Sequence, residues 1–116
     1  MNQPALDFRA YEEMKEIMEE VLPELLNTFI EYMPEQLSDL NRAIDENNPD
    51  LLFGIAHRMK SSSNSLGALG LAKMAESIEM LGRAGSIEGA REKSAELEDQ
   101  LNEVIVFFKE ELSALG

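Results

Sequence analysis

ENNPDLLFGIAHRMKSSSNSLGALG, residues 46–70, is the stretch on which the fold turns. Asn48 reads as a helix N-cap, Pro49 as the first helical residue and Asp50 as an acid in the first turn, where the positive end of a helix dipole favours it. From there Leu52, Ile55, Met59 and Leu66 recur at helical spacing and define one inward face. LGALG then closes the helix. The stretch is a helix of about residues 49–66 with a turn at each end.

Working outward, the same period continues on both sides. Leu71, Met74, Ile78 and Leu81 mark a helix over about residues 68–84, stopped by RAGS. Ile87, Ala90, Ser94, Leu97, Leu101, Val104 and Phe108 form one stripe of a last helix over about residues 86–114. Upstream, Leu22, Leu25, Phe29, Met33, Leu37, Leu40 and Ile44 predict a helix over about residues 22–46, with a kink at Pro34, whose missing N–H interrupts the ladder. A short helix of about residues 7–18 precedes them. There is no strand signal, internal repeat or low-complexity linker. Four amphipathic helices joined by short turns bury their stripes most simply against one another. The expected fold is all-α: an antiparallel up-down-up-down four-helix bundle in one domain spanning residues 1–116, with the short N-terminal helix capping one end.

Composition narrows the function. At 116 residues and 44% hydrophobic content the chain supports one core. With no leader pattern and no apolar run near the roughly 18 to 20 residues of a membrane span, a cytoplasmic protein is expected. The absence of cysteine removes disulfides, thiolate metal sites and cysteine nucleophiles. A net charge of −13 argues against nucleic acid and anionic membrane as partners, because both are held by clustered Lys and Arg. One histidine, no cysteine and no E-x-x-H pair argue against a metal site or a Ser-His-Asp triad. Yet between Leu51 and Ala75 there is no acid, while Arg58, Lys60 and Lys73 all lie there. A negatively charged ligand would be attracted to that window.

The single histidine, His57, sits inside it. At about 100° per residue it lies roughly 200° from both Ile55 and Met59, so it points away from the core. Phe53 and Gly54 lie one turn before it, Lys60 and Ser61 one turn after, and Asn64 two turns on. The small residues Ser61, Ser62, Ser63, Ser65, Gly67 and Ala68 are poor helix formers that leave low relief beside the ring. If the hairpin turns at about residue 68, position 57 is level with about 79. Glu79 then lies near His57, with Arg83 one turn beyond. A carboxylate there holds the imidazole Nδ1–H and leaves Nε2 as the nucleophile.

The run AHRMKSSSNSLGALGLAKM resembles the signature of histidine-containing phosphotransfer (HPt) domains, in which an exposed histidine is followed at plus three by lysine, then by small residues and a glycine at plus ten. His57, Lys60, Ser62, Ser63 and Gly67 match it in type and spacing. The long helix before the motif, the LGRAG after it and the last helix also sit where that family has them. Ser61 departs from the pattern, which most often has glycine directly after the lysine.

The resemblance implies a phosphorelay carrier. His57 would accept a phosphoryl group from a receiver-domain aspartyl phosphate and pass it to another receiver. Lys60, with Ser61, Asn64, Glu79 and Arg83, would stabilise or orient it. The face formed by Phe53, Gly54, Arg58, Ser61, Asn64 and Gly67 would meet the partner. Receiver domains and a hybrid sensor kinase are the implied partners of a monomeric carrier that has no autokinase activity and no cofactor of its own, magnesium coming with the receiver. The competing reading is a helical adaptor bundle with no phosphate chemistry, on which the seven methionines are core filler and the acidic runs are solvated faces.

Overall fold

The computed structural model describes residues 4–115. Five helices account for most of them: α1 (Phe8–Ile17), α2 (Leu22–Asp45), α3 (Pro49–Ser65), α4 (Leu69–Arg83) and α5 (Ala90–Leu115). Helix α2 packs on α3 and α5, and α4 packs on α3 and α5. The four long helices therefore form a closed ring in which sequence neighbours joined by short turns lie antiparallel.

Three of the turns share one backbone device. At the ends of α2, α3 and α4 a residue in the left-handed region, Asn47 (φ 51°), Gly67 (φ 82°) or Gly85 (φ 77°), follows the C-cap. The next N–H in each case reaches back five residues: Asn48 to the Ala43 carbonyl, Ala68 to that of Ser63 and Ser86 to that of Leu81. These are Schellman closures, which satisfy the carbonyls a helix end would otherwise leave bare. Asn48 then caps α3, its side chain accepting from the Leu51 N–H at 3.1 Å, with Pro49 in the first turn.

The inward stripes meet in one core. Leu22, Leu26, Met33 and Leu40 of α2, Leu52, Ile55 and Met59 of α3, Leu71 and Ile78 of α4, and Leu97 and Phe108 of α5 are almost wholly buried. On α2 the second stripe position is Leu26, fully buried, while Leu25 flanks the core half-buried. Helix α2 runs unbroken through Pro34, which lies on its exposed side.

The last helix starts at Ala90 rather than near 86. Gly89 takes a positive φ of 80°, and the Ser86 hydroxyl accepts from the Glu88 N–H at 3.0 Å. This local turn competes with helix over four residues, and Ile87 packs on the core from it.

Helix α1 covers the end of the bundle where α3 turns into α4. The Tyr11 ring is fully buried, edge-on to Phe107 and stacked on Phe108. Its hydroxyl donates to Glu111 Oε1 at 2.8 Å, which also receives Lys15 Nζ at 3.2 Å. Burial and the neighbouring carboxylate push the Tyr11 phenol well above its ordinary pKa. The Asp7 N–H donates to the Gly67 carbonyl and the Leu71 N–H to that of Ala5. A Cβ on Gly67 would lie 2.6 Å from the Tyr11 nitrogen, so only glycine lets the N-terminal segment lie this close.

Candidate functional site

Helix α3 presents His57 on its outer side, as the offset from Ile55 and Met59 requires: the imidazole side chain is 54% exposed. Helix α4 supplies Glu79, whose side chain is 3% exposed and enters from the seam between the two helices. The His57 Nδ1 lies 2.7 Å from Glu79 Oε2, and Lys60 Nζ lies 2.6 Å from Oε1 of the same carboxylate. The carboxylate makes Nδ1 the protonated, donating nitrogen. No protein group among the described residues bonds Nε2, which remains an acceptor with its lone pair directed away from Glu79.

Burial alone would push the Glu79 carboxyl up. Hydrogen bonds from Lys60 and His57, joined by their charges, outweigh that penalty and hold it below its usual range. A carboxylate that stays ionised fixes the imidazole in one tautomer and one orientation.

Close approach of the two helices makes this possible. Gly82, one turn after Glu79, is buried, and a Cβ there would lie 2.6 Å from the Pro49 carbonyl oxygen and 2.7 Å from the Phe53 nitrogen. Bare backbone at Gly82 brings α4 against the first turns of α3 and carries Glu79 within reach of His57. In the sequence Gly82 enters only within the LGRAG run that resembles the family, and its role depends on a contact between elements that spacing does not reveal.

Phe53 and Arg83 form a layered stack on the imidazole. The Phe53 ring stacks on His57 with centroids 6.1 Å apart and an interplanar angle of 21°. Arg83 places its guanidinium over the far ring, 5.5 Å from the Phe53 centroid. Arg83 thus touches the imidazole through Phe53. The four-residue spacing of Phe53 and His57 on one helix was the signal for the stack.

The small-residue run divides. Ser63 is fully buried, its hydroxyl donating to the Met59 carbonyl at 2.8 Å, and Gly67 and Ala68 are buried under α1. Gly67 is therefore not part of an exposed partner-facing surface, because the N-terminal segment covers it. Ser61 and Ser65 remain exposed, the Ser65 hydroxyl donating to the Ser61 carbonyl. Asn64 is exposed over a shallow depression with Lys60, Lys73 and Glu76, two turns from His57 and outside the His57–Glu79–Lys60 cluster. Arg58 is exposed, and Gly54 is half-buried beside it.

Comparison with known proteins agrees with this geometry. The Hpt domain family model matches residues 24–106. The crystal structure of histidine-containing phosphotransfer protein B (HptB) from Pseudomonas aeruginosa PAO1 superposes with a TM-score of 0.90 at 31% identity, covering 96% of each chain. A search of curated proteins finds no match. An adaptor bundle without phosphate chemistry is not favoured by these likenesses. With a family match over most of its length and an exposed histidine held on a carboxylate, the chain belongs to the Hpt domain family and is a histidine phosphotransfer protein of a phosphorelay.

Proposed function

We propose that His57 is the phospho-accepting residue, receiving the group on Nε2 from a receiver aspartyl phosphate and returning it to the aspartate of another receiver. The observation that carries this reading is the Nδ1–Glu79 contact at 2.7 Å on a half-exposed ring. As the Nε2 lone pair bonds phosphorus, the phosphorus–oxygen bond to the aspartate breaks and the carboxylate leaves. No proton has to move: Nδ1 keeps its hydrogen and the ring takes a positive charge, which the Glu79 carboxylate faces. Stabilising charge where it develops is the largest contribution a site of this kind makes.

Lys60 holds Glu79 ionised and in place, and its ammonium keeps further N–H donors for a phosphoryl oxygen. Phosphoryl transfer asks for in-line approach and charge neutralisation more than covalent machinery. A carrier of this design leaves magnesium and the acid partner to the receiver, and it has no autokinase activity. It works as a monomer in the cytoplasm, between a hybrid sensor kinase and response-regulator receivers; none of the helices among the described residues is long and apolar enough to cross a membrane.

The test is phosphoryl uptake from a receiver carrying radiolabelled aspartyl phosphate. The label is expected on His57, in an adduct labile to acid and stable to base. Label on a serine, or label acquired from ATP alone, would contradict the carrier reading.

A further inference from the structure

The charges already assigned around His57 leave little net positive charge for a phosphoryl dianion. Lys60 and Glu79 are joined at 2.6 Å, so the lysine's charge is matched before a phosphoryl group arrives. Arg83 lies over the Phe53 ring. The remaining basic side chain on this turn of α3 is Arg58, which is exposed and makes no ion pair among the described residues.

Arg58 folds back along its own helix. A Cβ placed on Gly54, one turn before, would lie 3.8 Å from the Arg58 terminal nitrogen. Helical side chains lean toward the N-terminus, so His57 leans onto Phe53 while Arg58 leans onto Gly54. At about 100° per residue, Gly54 lies roughly 60° from His57 on one flank, while Phe53 and Lys60 lie roughly 40° and 60° away on the other. The imidazole therefore has the Phe53, Lys60 and Glu79 groups on one side. On the other is a guanidinium lying low in the notch that a missing side chain leaves.

Resting on the reading of His57 Nε2 as the phosphorylated atom, we propose that Arg58 adds the unmatched positive charge that the phosphoryl dianion needs beside the N–H donors of Lys60, and that Gly54 is the notch that lets it lie within reach. A guanidinium is always charged and presents a planar fork that pairs two phosphoryl oxygens at once, which an ammonium does not do. Arg58 neither gains nor loses a bond in the transfer step. It lowers the cost of the dianion on the product side and loses that contact when the group leaves for the next receiver.

The experiment phosphorylates the full chain with potassium phosphoramidate and follows the second ionisation of the phosphoryl group by phosphorus NMR as pH is varied. Lys60, Glu79 and Arg83, the other charged groups facing the site, stay the same across the series. Arg58→Ala is expected to raise the midpoint by roughly 0.2 to 0.7 pH units, the shift equivalent to one surface ion pair. Arg58→Lys should recover part of that shift. Gly54→Leu fills the notch while keeping Arg58 and should also raise the midpoint. Thermal melting establishes that each variant is folded. Midpoints unchanged in Arg58→Ala and Gly54→Leu would overturn the proposal. Failure of the wild-type chain to give any phosphohistidine signal would overturn the reading of His57 itself, and this proposal with it.

Discussion

The imidazole of His57 and the ammonium of Lys60 share one buried carboxylate, which makes Glu79 the point where the site responds to acid. Its folded pKa lies below the ordinary value of 4.5 because the bonds from Lys60 and His57 outweigh burial. The ionised form therefore contributes stability that is complete above that ordinary value and is lost as pH falls through the lowered one. Melting of wild type and Glu79→Gln across pH 3 to 8 should show a constant advantage for wild type above about pH 5 that shrinks below about 4.5. A gap that widens in acid would contradict the assignment. The same variant should slow phosphoryl uptake by about 10- to 100-fold, the range that loss of a ring-orienting partner costs at imidazole sites. Residue spacing was enough to expose His57 and to bring Glu79 level with it across the hairpin. It was not enough for Arg83 or Gly67, because the first depends on which ring a long side chain settles over and the second on what the N-terminal segment covers.

Among the elements, the α3–α4 pair sets the geometry, and Gly82 sets the distance between them. A methyl group there meets backbone at 2.6 and 2.7 Å, which cannot swing aside as a flexible side chain would. Gly82→Ala should cost about 1 to 3 kcal/mol, as overpacking does, and should slow phosphoryl uptake because Glu79 is carried away from His57. Gly85→Ala is the control. Its added Cβ meets nothing, but its φ of 77° strains an alanine by about 1 to 2 kcal/mol. Chemical denaturation should show a loss in both variants, while uptake kinetics should fall only in Gly82→Ala. Equal loss of uptake in both would contradict a positioning role for Gly82. The helices themselves were legible because period 3.6 is written along every one of them. The start of α5 was not, since Ser86 and Gly89 build a turn on a segment whose apolar stripe already continues through Ile87.

At the scale of the whole molecule, the bundle separates stability from chemistry. The buried stripes and the aromatic cluster of Tyr11, Phe29, Phe107 and Phe108 hold the fold, while His57 stands on the outside of α3 and contributes little packing. The ring of four helices followed from their short connections, and the likeness to HptB extends over 96% of the chain. How α1 closes the end was beyond the sequence, because it rests on Tyr11 reaching Glu111 across nearly the full length of the chain. His57→Gln tests the central claim most directly, because it removes the nucleophile yet leaves an amide N–H that can still face Glu79. A half-exposed change of this kind falls within about 0.5 kcal/mol, or a melting shift of no more than about 4 °C for a domain of this size. Melting and uptake from a phosphorylated receiver, measured on this one variant, should give a near-native melting temperature with no phosphoryl transfer; transfer that persists at the wild-type rate in a folded His57→Gln protein would contradict the account.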